Sequence, residues 1–187
     1  MRDNLVNKLP NILSAIRICL VPVFIVVYFT EMGTVKVIAA LIYAVAAFTD
    51  FLDGYLARKY GNISNLGMVL DPLGDKLMTV AVMACITIDG IIPLWAVLVA
   101  FCKEALMGIG GLVMHKKLKA AIPPSNIIGK LSTGVFFLVC VTLMLVEGIS
   151  RPVATVMISV AIGLMLVALA SYILNFVGVA KKEKQQG

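Results

Sequence analysis

Charge is what this 187-residue chain has least of. Asp, Glu, Lys and Arg make up 14% of it, where soluble domains carry about 25%. With 61% hydrophobic residues, that scarcity excludes an ordinary soluble globular domain. Histidine occurs once, at His115, and Cys19, Cys85, Cys102 and Cys140 form no C-x-x-C pair. Nothing in that pattern points to a zinc site or a redox dithiol. The cysteines read as small buried hydrophobes, and His115 as an interfacial residue. Low-complexity tracts and internal repeats are missing too.

Long apolar runs are present instead. Several approach 20 residues, enough to cross a hydrocarbon layer of about 30 Å as a helix. The expected fold class is all-α, a polytopic integral membrane protein with six transmembrane helices over 12–31, 34–59, 65–88, 92–115, 126–147 and 152–180. The whole chain, 1–187, is expected to form a single membrane domain, with an interfacial segment at 1–11, the bundle at 12–180 and a basic tail at 181–187. Pro10 separates that segment from the first span. The connections "MGT", "YGNIS", "DGIIP", "AAIPPS" and "GISRP" are all turn-forming. The first apolar run is too long for a signal-peptide core, and no A-x-A site follows it.

The formal charge of +6 is better explained by membrane topology than by nucleic acid. Six spans put both termini on one side. Arg2, Lys8, Arg17, Arg58, Lys59, Lys116, Lys117, Lys119, Lys130, Lys181, Lys182 and Lys184 gather there. The other side keeps Lys36 and Arg151 beside Glu31, Asp89 and Glu147. Basic residues mark the cytoplasmic face, so the termini are expected in the cytoplasm and the chain in the plasma membrane. Lys116, Lys117 and Lys119 read as topology determinants.

Against this background the stretch "DFLDGYLARKYGNISNLGMVLDPLGDKL" is anomalous. Asp50 and Asp53 are three residues apart, Asp71 and Asp75 four, so each pair shares a helix face. A turn around Gly61 and Asn62 lets the pairs converge at the cytoplasmic end of spans two and three. Four carboxylates beside hydrocarbon cannot all remain ionised without cations, and an all-oxygen donor set suits Mg²⁺ or Mn²⁺, one ion or two. Gly54, Ala57 and Gly67 clear a groove beside them, and Arg58 offers a planar fork for phosphate oxygens. Together these residues describe a metal-assisted diphosphate site.

The fixed positions read D-x-x-D-G-x-x-A-R, eight residues, then G-x-x-x-D-x-x-x-D. This resembles the signature of the CDP-alcohol phosphatidyltransferase family at every position. The resemblance implies an enzyme of phospholipid biosynthesis that moves the phosphatidyl group of CDP-diacylglycerol to an alcohol and releases CMP. Carried over, Asp50, Asp53, Asp71 and Asp75 bind two Mg²⁺ or Mn²⁺ ions, and Asp75 is also the general base. Asp50, Gly54, Ala57, Arg58 and Gly67 line the CDP side. A homodimer is implied as well.

The acceptor is read from weaker features. "SNIIGKLST" is similar to the G-K-x-x-T element of members that make phosphatidylglycerophosphate, which points to Lys130 and Thr133 for the phosphate of glycerol 3-phosphate. Lys103 in "CKE" stands where those relatives carry an arginine, and "NILSAIRI" resembles their opening through Asn11, Ser14 and Arg17. A second arginine common in them is replaced by Gly111, as in cardiolipin synthases of the same family, whose acceptor is phosphatidylglycerol. Glycerol 3-phosphate is the expected acceptor and phosphatidylglycerol the alternative.

Two remote readings are an intramembrane prenyltransferase and a cation transporter. The first keeps its acidic motifs far apart in sequence, whereas both pairs here fall within 26 residues. The second spreads carboxylates through the membrane depth, whereas these gather at one end.

Overall fold

The computed structural model describes residues 9–30, 36–60, 67–118 and 127–186, with side chains over 12–30, 36–52, 74–106, 128–171, 173 and 174. All the regular structure in these residues is helical: α1 (Leu9–Thr30), α2 (Val37–Tyr60), α3 (Gly67–Ile88), α4 (Leu94–Leu118), α5 (Ile127–Leu145) and α6 (Arg151–Gln186). The six helices follow the six expected apolar runs, with two informative differences at the ends. Pro10 lies inside the first turn of α1 rather than ahead of it, where its missing N–H costs nothing. α6 continues to Gln186, because Lys, Glu and Gln are good helix formers and extend the helix past the end of the apolar run. The interfacial segment expected at 1–11 falls mostly outside the described residues, as does the turn at Gly61 and Asn62.

Hydrogen bonds at the helix ends explain the turns. Gly90 and Gly148 follow α3 and α5 with φ of 73°, the left-handed conformation in which a glycine ends a helix at least steric cost. The Gly90 N–H donates to the Thr87 carbonyl at 2.9 Å. Lys36 opens α2: its carbonyl accepts from the Ala40 N–H at 2.9 Å, and its own N–H donates to the Met144 carbonyl at 2.8 Å. One helix start thus satisfies an orphan acceptor at another helix's end.

The chain divides into two compact units. The first comprises residues 1–90 and 141–149, hence α1, α2, α3 and the end of α5. Here α1 packs on both α2 and α3, and α2 on α3. Ala39, Ala40, Ala46 and Ala81 are buried together with Phe24, Tyr43, Met78, Val82 and Ile86; small side chains let helix backbones approach. A polar clasp lies at one end of this unit. The Tyr28 hydroxyl donates to Asp89 Oδ2 at 2.9 Å, and Lys36 Nζ lies 5.2 Å from the centroid of the same ring. Lys36 and Asp89, which the sequence assigns to one membrane face, thus meet around Tyr28.

The second unit comprises residues 91–140 and 150–187, hence α4, most of α5, and α6. α4 packs on α6, whose buried Ala154, Ile158, Ala161, Ile162 and Met165 recur at helical spacing.

The surface is apolar. Among the described residues, Ile12–Thr30, Ile128–Leu145 and Arg151–Ser171 are long and apolar enough to cross a membrane, and Val37–Leu52 is a shorter apolar stretch. No more than 28% of each of the three longer windows is buried. Val26, Leu41, Phe48, Leu138 and Val156 point outward, an arrangement that hydrocarbon solvates and water does not. The chain is a membrane protein.

Candidate active site

The first unit carries the carboxylates of the anomalous stretch. Asp50 lies two turns beyond the buried Tyr43 on α2, and its neighbour Thr49 returns its hydroxyl to the Ala46 carbonyl at 2.7 Å. Arg17 projects from α1 toward it. The Arg17 side chain is 1% exposed, and its Nη1 meets Asp50 Oδ1 at 2.8 Å. The Asp50 side chain is 48% exposed, so one oxygen is anchored while much of the carboxylate faces outward.

α3 completes the arrangement through a glycine. A Cβ on Gly74 would lie 3.5 Å from Arg17 Cδ, 3.5 Å from Ile18 Cγ1 and 3.6 Å from the Ser14 carbonyl oxygen. Arg17 is therefore held between its own helix and the α3 backbone, with Ser14 fully buried in the same turn. The next residue, Asp75, is exposed. One arginine thus ties together the two places from which the outermost aspartates of the motif emerge.

Asp53, Gly54, Ala57 and Arg58 lie on the last turns of α2, and Gly67 and Asp71 on the first turns of α3. Their side chains are outside the described residues. At backbone level, two carboxylate pairs at helical spacing lie on two helices that pack together. Among the described side chains no group of three or more potential metal ligands occurs, and Asp53 and Asp71 are not among those side chains. Among the described side chains, Asp50 and Asp75 supply carboxylate oxygens, the donor type that a hard divalent cation takes, and both reach the surface.

The residues assigned to the acceptor belong to the second unit. Lys103 is 8% exposed, and its ammonium pairs with Glu104 Oε1 at 2.5 Å. An acceptor phosphate would have to compete with that carboxylate. Lys130 is exposed on the first turn of α5. Thr133, one turn on, is also exposed and donates its hydroxyl to the Gly129 carbonyl at 3.0 Å, while Ser132 donates to the same carbonyl at 2.9 Å. Gly111, His115, Lys116 and Lys117 have no described side chains.

Arg17 is the buried cation whose partner the sequence does not announce. It counted there as a topology charge and as part of the "NILSAIRI" resemblance. A charge buried by an apolar helix is the local signal that could have marked it, because so costly a group normally has a partner.

A profile of the CDP-alcohol phosphatidyltransferase family matches residues 7–181. Among curated proteins, the chain is 30% identical over 138 residues to CDP-diacylglycerol--glycerol-3-phosphate 3-phosphatidyltransferase of Bacillus subtilis, covering 67% of this chain and 70% of that one. It is 38% identical over 82 residues to the protein of the same name from Rickettsia typhi, covering 44% of each chain. It is 37% identical over 134 residues to the cardiolipin synthase (CMP-forming) of Streptomyces coelicolor, covering 68% of this chain and 60% of that one. The chain thus spans less than half the length of the Rickettsia relative it matches. With the family profile covering nearly the whole sequence and its fixed positions lying on packed helices, the chain belongs to the CDP-alcohol phosphatidyltransferase family.

Proposed function

We propose that this protein transfers the phosphatidyl group of CDP-diacylglycerol to glycerol 3-phosphate, giving phosphatidylglycerophosphate and CMP. The observation that carries the reading is the paired aspartate motif on α2 and α3, with Asp50 anchored by Arg17 beside the point where Asp75 emerges. The name and coverage of the Bacillus relative support the acceptor.

Asp75 is the general base. It takes the proton from the acceptor hydroxyl as that oxygen attacks the phosphorus bearing diacylglycerol. The bond from that phosphorus to CMP breaks, and CMP leaves with the electron pair. Two Mg²⁺ or Mn²⁺ ions held by Asp50, Asp53, Asp71 and Asp75 would neutralise the diphosphate and the leaving group. Arg58 adds a fixed cation for the phosphates, and Gly54, Ala57 and Gly67 leave room for the CDP moiety. Lys103, Lys130 and Thr133 hold the acceptor phosphate. Positioning and electrostatics supply most of the rate. The setting is a six-span plasma-membrane bundle, acting as a homodimer, with both termini and the site at the cytoplasmic face.

A second reading, cardiolipin synthesis from phosphatidylglycerol, is favoured by Gly111 and by the likeness to the Streptomyces protein. Purified protein, Mn²⁺ and CDP-diacylglycerol are offered each acceptor in turn, and CMP release is measured. Release with glycerol 3-phosphate is expected. Release with phosphatidylglycerol alone moves the function to the second reading, and release with neither overturns both.

A further inference from the structure

Arg17 is the most buried charged side chain among the described residues. The other buried cation, Lys103, pairs with its neighbour in sequence, whereas Arg17 reaches from α1 to a carboxylate on another helix. Filling space does not require an arginine there, because methionine would pack the same gap without the cost of burying a charge. The placement is specific at both ends of the side chain. Its Cδ rests where α3 presents Gly74, and its Nη1 fixes one oxygen of Asp50, whose side chain stays 48% exposed.

We propose that Arg17 is a positioning residue for Asp50: it anchors Oδ1 so that the carboxylate meets a divalent cation in one orientation. The inference rests on reading Asp50 as a metal ligand. Groups that orient a metal ligand from behind commonly alter metal affinity about 10- to 100-fold when removed.

Two effects oppose one another here, so the sign of the result is informative. The guanidinium charge repels an approaching cation, and removing it tightens binding if charge alone matters. Its anchoring pre-organises Asp50, and removing it weakens binding if orientation matters more. Orientation is expected to win, because with Arg58, Lys59 and Lys76 in the same stretch Arg17 is one cation of four, and its loss changes the local charge less than it frees Asp50.

The test uses the full chain purified in detergent, with Mn²⁺ as the sole added ligand and free Mn²⁺ read by electron paramagnetic resonance. Arg17→Met is expected to weaken Mn²⁺ binding about tenfold or more, with an unchanged elution profile on size exclusion. Asp50→Asn is expected to weaken it too, and adding Arg17→Met to Asp50→Asn should have no further effect. A merely structural arginine would weaken binding on both backgrounds, which overturns the proposal. Unchanged or tighter binding in Arg17→Met, with Asp50→Asn weakened, overturns the proposal while leaving Asp50 a ligand. Unchanged binding in Asp50→Asn overturns the metal reading beneath it. Should Arg17→Met not fold, Arg17→Lys keeps the buried charge on a shorter stem. A loss of about threefold or more then supports the proposal, and wild-type affinity overturns it.

Discussion

At the residue scale, Asp50 and Asp75 carry the same carboxylate into different settings. Asp50 is tied to a buried guanidinium, whereas Asp75 is exposed next to the glycine against which that guanidinium packs. A general base needs access to the acceptor, and Asp75 is exposed. Asp75→Asn keeps the size and removes the basicity, so CMP release should fall at least about 1,000-fold. The protein should still elute as folded and still bind CDP-diacylglycerol in a filter assay. Near-normal turnover would remove Asp75 from the role of base. Lys130 tests the other substrate. It is exposed on the first turn of α5, whereas Lys103 is buried and pairs with Glu104. Lys130→Ala should raise KM for glycerol 3-phosphate about tenfold, the loss of one charge-assisted hydrogen bond, with KM for CDP-diacylglycerol nearly unchanged. An unaltered acceptor KM would reduce Lys130 to a side chain that snorkels to the interface.

At the scale of elements, the joint between α1 and α3 holds Arg17, and through it Asp50. A Cβ on Gly74 meets ordinary van der Waals distances of 3.5–3.6 Å, so Gly74→Ala should cost little, within about 1 kcal/mol. Gly74→Leu must push branched atoms into Arg17, Ile18 and the Ser14 backbone, an overpacking that costs about 1–3 kcal/mol. Thermal unfolding in detergent should separate the two variants, and equal melting temperatures would mean that the helices slide apart freely. This joint also shows what was legible beforehand and what was not. The aspartate pairs were visible because their spacing is local and helical. The six helices were visible because hydropathy and turn residues mark them. Arg17 and Asp50 are 33 positions apart, since 50 − 17 = 33, and no local period announces a partner on another helix. The bond from Tyr28 to Asp89 is hidden for the same reason, since Asp89 comes from the far end of α3. α6 runs on to Gln186 beyond the expected span because hydropathy stops where helix propensity does not.

At the scale of the whole molecule, charge and apolar length should fix how the chain sits in the bilayer. Within the first unit, Arg17 and Tyr28 mark two polar levels on α1, eleven residues or about 16 Å apart along the helix. Gly74 and Asp50 adjoin the first level, and Lys36 and Asp89 the second. α1 and α3 therefore run parallel, with α2 antiparallel to both, and the apolar core lies between the levels. That is the arrangement of consecutive membrane crossings. If all six helices cross, Glu147 after α5 is external and Lys184 at the end of α6 is cytoplasmic. In a chain whose four cysteines are replaced by alanine, Glu147→Cys should react with a membrane-impermeant maleimide in intact cells. Lys184→Cys should react only after the membrane is permeabilised. Labelling of Lys184→Cys from outside would invert the orientation and move the aspartate site away from cytoplasmic glycerol 3-phosphate. Labelling of both positions from outside would mean that α6 does not cross at all. The pair of variants thus tests the topology independently of the chemistry, since neither residue belongs to the site.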